Sequence, residues 1–194
     1  MRFIFRRFGY VLDMVEFVRL GLLLVCLSWF AVGCDKTPDT DPGPSASQPG
    51  TNHSLPYLDH AQPRLPTIKL WIGAQEMVTE IARQQVEVNT GMMHRKQMGE
   101  NDGMLFVMPY PHRTSFYMRN TLVPLSAAYI DPEGTIVEIH DLKPLDETPV
   151  EAQSDKIQYV LETPQGWFKK NNIGPGTLIR TEKGSLEQTF WKQP

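Results

Sequence analysis

The sequence predicts a mainly β domain, built as a small β-sandwich or a partly closed barrel, with one or two short helices. Three observations carry this. Short runs rich in branched and aromatic residues recur from residue 67 onward, each bounded by Gly, Pro, Asn or Asp. Most of the connections between them are too short for helical crossovers, so the strands are expected to pair mainly antiparallel. Three apolar runs, residues 104–108, 116–118 and 122–130, crowd into one stretch around the polar insert Arg119-Asn120-Thr121.

In chain order, residues 67–72 (TIKLWI) alternate polar and apolar side chains, as a half-buried strand does. Gly73-Ala74-Gln75 breaks this run, and residues 77–82 alternate again, which predicts a hairpin. Residues 84–98 shift to helical spacing, with Val86, Thr90 and Met93 on one face and Gly91 as a helix end. Residues 100–103 (ENDG) turn the chain into a strand over 104–108. Pro109-Tyr110-Pro111-His112 is expected to form a loop, since a residue before Pro is restricted and Pro lacks an N–H. Strands follow over 116–118 and 125–130, then the turn Asp131-Pro132-Glu133-Gly134 and an alternating strand over 135–139. Residues 143–155 read as a long Pro-rich loop, and 157–162 (IQYVLE) as another strand. Residues 164–171 suit a short helix or turn with Pro164 at its first position, residues 177–180 a strand, and residues 186–191 an edge strand.

Residues 1–33 read differently. Four arginines precede the unbroken apolar run LGLLLVCLSWFAV, which is shorter than the ~20 residues of a membrane span. Its ending, Ala31-Val32-Gly33-Cys34, has the form of a lipobox, so residues 1–33 are expected to be a lipoprotein-type signal peptide, with Cys34 acylated after cleavage. Met14 offers an alternative start that gives a signal of more usual length. Residues 34–66 are rich in Pro, Asp, Ser, Thr and Gly and lack apolar periodicity, which predicts a disordered tether reaching roughly 30 Å. Residues 67–194 are then the folded domain, held to a bilayer by acyl chains that each contribute about 0.8 kcal/mol per buried methylene.

The net charge is −3. Loss of residues 1–33 removes four arginines and two acids, a net of +2, and leaves −5. Such a balance gives no reason to expect nucleic acid as a partner. The two cysteines, Cys26 and Cys34, both precede the domain, which therefore has neither a disulfide nor a thiol nucleophile. Phosphate-loop, zinc-spacing and dinucleotide motifs are missing, and no cofactor is expected.

Within the domain, Arg95, Arg119, Asn120 and Thr121 are candidates to hold a small anionic or sugar-like ligand, with Asp131 nearby. Guanidinium presents a planar donor fork, and Asn both donates and accepts. The competing reading pairs both arginines with acids such as Asp102, Asp131 or Glu162 and makes Asn120-Thr121 a turn device. Met92, Met93 and His94 offer soft ligands for Cu(I), against the ordinary use of Met as core filler. A Ser126–His140 pair is available, but without a nucleophile elbow.

Several stretches together carry a family likeness: Thr90-Gly91-Met92-Met93-His94-Arg95, Gly103-Met104-Leu105-Phe106-Val107, Phe116-Tyr117-Met118-Arg119-Asn120-Thr121, Pro124-Leu125 and Tyr159-Val160-Leu161-Glu162. In this order they resemble the bacterial and archaeal family called domain of unknown function 192. Tyr117 stands where that pattern has Trp, and Ser126 where it commonly has Asp. The resemblance implies a β-sandwich with a jelly-roll-like core and brings no established activity. The expected function is a membrane-tethered protein of the bacterial cell envelope, non-enzymatic, binding a small ligand or serving as an accessory module. Two alternatives stand beside it. One is an envelope enzyme acting on glycan or peptide through Arg95 and a carboxylate; the other is a Cu(I)-handling protein.

Overall fold

The computed structural model describes residues 56–192. Cys34, the signal segment and the tether up to residue 55 lie outside the described residues. The class is mainly β, as expected. The strands are β1 (Thr67–Ile72), β2 (Gln75–Ala82), β3 (Asp102–His112), β4 (Ser115–Phe116), β5 (Leu125–Ile130), β6 (Ile136–Leu142), β7 (Val150–Glu151), β8 (Ile157–Pro164), β9 (Ile179–Thr181) and β10 (Gly184–Ser185). The helices are α1 (Gln85–Thr90), α2 (Trp167–Lys170) and α3 (Leu186–Phe190). Eight strands form one sheet in the order β10-β9-β1-β2-β3-β8-β5-β6, and β4 pairs with β7 in a separate ribbon. The sheet does not close into a barrel. Its two sides meet at one corner, where Thr135 bridges Leu178 and Ile136 N donates to Thr177 O at 2.9 Å.

The pairing is antiparallel except between β2 and β3, which run parallel from Val78↔Asp102 to Ala82↔Phe106. A parallel step needs a crossover. Here it is the segment 83–101, which carries α1 and brings Met92 onto one face of the sheet.

Period-2 alternation divides the apolar residues between two cores. Ile68, Leu70, Ile72, Leu105, Val107, Ala128, Ile130, Tyr159 and Leu161 face one, which α2 and α3 close with Trp167, Phe168, Leu186 and Phe190. Met104, Phe106, Met108, Leu125, Ala127, Tyr129 and Val160 face the other, covered by Met92, Met118, Val123 and Ala152. The central strands β3, β8 and β5 are therefore covered on both sides, which is why their buried stretches lack polar–apolar alternation.

Some expectations are corrected. Pro109-Tyr110-Pro111-His112 is not a loop: β3 continues through it to His112. Proline's fixed φ suits extended backbone, and the two missing N–H groups are accommodated where the β3–β8 register shifts between Val107 and His112. Residues 186–191 are not an edge strand but contain α3. Ser185 Oγ accepts from Gln188 N at 3.1 Å, Gln188 Oε1 accepts from Ser185 N at 3.0 Å, and this capping box starts a helix whose Leu186 and Phe190 point into the first core. By contrast, the helix within residues 84–98 ends at Gly91 as expected, where the backbone takes φ +46°. Gly166, rather than Pro164, opens α2. The 143–155 loop carries β7.

The segment ahead of β1 is tied to the body. Leu58 N donates to Thr90 Oγ1 at 3.0 Å, Gln62 Nε2 to Gly91 O at 2.8 Å, and Leu65 N to Glu80 Oε2 at 2.8 Å. Composition placed these residues in the tether.

Candidate functional site

Arg95 lies just beyond the crossover helix and turns back to β2. Its Nη1 reaches Glu80 Oε1 at 2.6 Å and its Nη2 reaches Glu80 Oε2 at 2.8 Å, with the two side chains 14% and 9% exposed. Burial acts to raise the Glu80 carboxyl pKa. The hydrogen bonds from Arg95 and from Leu65 N–H outweigh it and hold the group below its ordinary value. This guanidinium is committed to an internal partner.

Arg119 donates through Nε and Nη2 to Glu147 Oε2, at 2.9 and 2.7 Å, and lies over the Tyr117 ring at 5.3 Å. This pair is exposed. Asn120 takes φ +54°, and its carbonyl accepts from His94 N at 2.8 Å. Thr121 is buried, with Oγ1 donating to Arg119 O and its backbone N–H to Met118 O. The polar triplet is thus a turn in which the Arg119 guanidinium, the Asn120 carbonyl and the Thr121 hydroxyl are all engaged within the protein, and the acids that take the two arginines are Glu80 and Glu147. Asp131 caps the β5–β6 turn, where its Oδ1 accepts from Thr135 N at 2.7 Å; burial raises its pKa.

Met92 and Met93 are buried, and Met92 belongs to the second core. His94 takes φ +63°, with a buried Nε2 that has no partner among the described residues. Ser126 and His140 do not meet. Ser126 Oγ donates to Asp141 Oδ1 and accepts from Gly166 N, while His140 Nε2 contacts Glu138 Oε2.

A cavity of about 340 Å³ opens between the crossover segment and the far end of β3. Its wall comprises residues 88–93 from the end of α1, residues 106–110 of β3, residues 114–117 around β4, Arg83, Gln85, His112, Thr121 and Glu162. The Phe106 and Phe116 rings meet edge to face with centroids 4.9 Å apart, and Phe116 also meets Tyr129 at 6.1 Å. Of the sequence-predicted polar candidates, Thr121 lines the cavity, and so do Met92 and Met93; Arg95, Arg119, Asn120, Asp131 and His94 do not.

Glu162 is the residue that sequence reasoning passed over as a site. It sits on β8 between Met104 of β3 and Ala127 of β5 and is 4% exposed. Its Oε2 has no hydrogen-bond partner among the described residues. Burial pushes the carboxyl pKa up to about 8, so the group is mainly protonated at neutral pH. Its effect also reaches Tyr129, whose hydroxyl donates to Val150 O at 2.6 Å and whose pKa is raised first by burial and then by Glu162. Part of the signal was in the sequence, where Glu162 is the one acid in the strand IQYVLETP; that this strand is buried from Ile157 to Thr163 comes from the structure. Chemically the site offers a mixed polar and aromatic pocket whose one acid among the described residues, Glu162, is a proton donor or a latent negative charge.

Residues 68–181, more than half of the chain, match the family DUF192, described as an uncharacterized ACR. The chain belongs to this family. Two solved structures resemble the DUF192 domain. A protein from Sinorhizobium meliloti, described as a candidate transcription regulator, shares 26% identity with a TM-score of 0.59 over 62% of this chain and 98% of its own. A protein of unknown function from Novosphingobium aromaticivorans shares 29% identity with a TM-score of 0.56 over 60% and 86%. No curated protein matches. The stretches that carry the likeness to DUF192 lie far apart in sequence, yet residues 90–93, 106–107, 116–117, Thr121 and Glu162 come together in the wall of this one cavity.

Proposed function

We propose that this DUF192 domain is a non-catalytic binding module whose ligand seat is the cavity beside Glu162. The observation that carries the reading is a buried carboxyl, with an oxygen unpartnered among the described residues, in the wall of a preformed pocket. An unmet polar group is costly to bury, and a concave site that sets polar groups beside apolar and aromatic ones can hold and orient a small ligand. The seat is accordingly the cavity and not the Arg119-Asn120 surface, whose guanidinium is already paired with Glu147. Arg95 is equally occupied by Glu80, which disfavours a catalytic role for its guanidinium. The N-terminal lipobox reading adds the setting: a cell-envelope protein held to a bacterial membrane through acylated Cys34.

The test is ligand screening by thermal shift on the full chain in non-ionic detergent. Compounds that raise Tm in the wild type and in Arg119→Ala and Asn120→Ala, but not in Glu162→Gln, support the cavity as the seat. Compounds whose effect is lost with Arg119→Ala and kept with Glu162→Gln would return the seat to the exposed patch. Mass spectrometry of the mature amino terminus checks the anchor, for which an unmodified, uncleaved end would be decisive against it.

A further inference from the structure

We infer that the occupant of the cavity is a small organic cation, an amine or a quaternary ammonium, matched by the carboxylate of Glu162 and packed against the rings and thioethers around it. The inference rests on the binding-module reading and adds the ligand's class. Among the described residues, Glu162 is the one acid in the cavity wall. The wall sets Phe106, Phe116 and Tyr117 rings and the thioethers of Met92, Met93 and Met108 around it, beside neutral hydroxyls such as those of Thr90 and Thr121, with Arg83 as the wall's one permanent cation among the described residues. Ring faces attract cations, more strongly where water is excluded. An anion would meet like charge as soon as Glu162 ionised. A neutral ligand would gain one ordinary hydrogen bond, where a cation gains a charge-assisted one.

The other titratable groups near the site do not supply the missing partner. Tyr129, on the neighbouring β5, donates its hydroxyl to Val150 O. Arg83 is directed elsewhere, with Nη2 on Phe190 O at 3.3 Å and its guanidinium over Trp191 at 5.1 Å. His112 contacts Tyr110 O through Nδ1 at 3.0 Å, and Tyr110 and Tyr117 are both exposed. Met104 and Ala127, the strand neighbours of Glu162, are apolar.

Binding is an exchange. The protonated Glu162 carboxyl loses its proton to solvent, and the ligand's positive charge takes that proton's place, so total charge is conserved. Affinity for a permanent cation must therefore rise with pH. With the carboxyl at about 8 in the free protein, the gain between about pH 6 and pH 9 is on the order of a hundredfold.

Calorimetric titration of the full chain in non-ionic detergent tests this. The probes are choline and benzyltrimethylammonium, with dimethylbutanol as the neutral carbon isostere of choline, in two buffers of different ionisation enthalpy. The expected result is that a cation binds with release of close to one proton below the carboxyl's pKa, tightens with rising pH, and exceeds dimethylbutanol by at least about tenfold, in line with one charge-assisted contact. Glu162→Gln should lose that margin and the proton release. Phe116→Leu keeps the wall apolar without its ring, and should weaken the cations while leaving dimethylbutanol unchanged; it also serves if Glu162→Gln fails to fold. Equal binding of the neutral isostere, or cation binding without proton release, would overturn the cation assignment and leave the binding module standing. If none of the three probes binds, the cation assignment falls; if the broader thermal-shift screen is also empty, the binding module falls with it.

Discussion

Arg95 and Glu80 form a two-pronged ion pair across the start of the domain, with N–O distances of 2.6 and 2.8 Å, and Glu80 Oε2 also accepts the Leu65 N–H. The arginine follows the crossover helix and the glutamate belongs to β2, so the pair fastens the crossover to the strand it leaves. Removing one partner strands the other in a poorly hydrated place. Arg95→Ala is expected to destabilise the domain by about 3–5 kcal/mol, and Arg95→Met with Glu80→Leu by much less. Denaturant unfolding of the single and double variants checks this. Because the Glu80 pKa is lowered in the folded state, its contribution is present above its ordinary value and is lost as pH falls through the folded one.

Glu162 has the opposite sign. Its folded pKa, about 8, lies above the ordinary 4.5, so the native state holds the proton more tightly than the unfolded chain. Stability from this group is full below about pH 4.5, declines as pH rises, and is lost above the folded value. Glu162→Gln should flatten that decline and leave the variant more stable than wild type by a few kcal/mol at alkaline pH. Urea midpoints measured across the range give the comparison, and parallel pH profiles for the two proteins would count against the buried-acid account.

The Arg119–Glu147 pair is solvent-exposed, and its loss should pass unnoticed by Tm, since such pairs are screened by water and salt. Asn120 is another matter. At φ +54° a branched side chain is strained, so Asn120→Val should cost about 1–2 kcal/mol while Asn120→Gly stays near wild type. Thermal melts of the two Asn120 variants against wild type check the turn role.

Two glycines bear on the cavity and the sheet corner. A Cβ on Gly91, already at φ +46°, would lie 3.2 Å from the Phe106 ring, which lines the cavity. One on Gly134, at φ +91°, would meet Ile179 O at 2.9 Å. Both Gly→Ala changes should lower Tm, but only Gly91→Ala should also weaken ligands seated beside Glu162.

How much was legible follows from what each signal measures. Alternation marked β1, β2 and β6 because those strands have one wet face, whereas β5 and β8 show no such alternation because both of their faces are covered. The parallel β2–β3 step was hidden, since nothing local distinguishes a strand's pairing direction. Residues 186–191 misled because so short an apolar stretch fits either period, and the decisive signal was the Ser185–Gln188 box just ahead of it. At the site, guanidinium chemistry drew the eye to Arg95 and Arg119, whose acidic partners lie 15 and 28 positions away and could not be matched by spacing alone. Glu162 was visible as an acid inside a buried strand, but the cavity that gives this meaning is assembled from distant segments.

The edge of β1 is covered by β9, so that Leu70 pairs with Thr181 and Ile72 with Ile179. On a ribosome adding 5–20 residues per second, β1 therefore waits about 5–20 s for its outer neighbour to be made. Throughout that interval it offers open backbone valences beside Ile68, Leu70 and Ile72, the kind of surface on which nascent chains stick to one another. Trimming either end of the domain breaks the same seam, so that the first strand is sealed by one of the last to be synthesised.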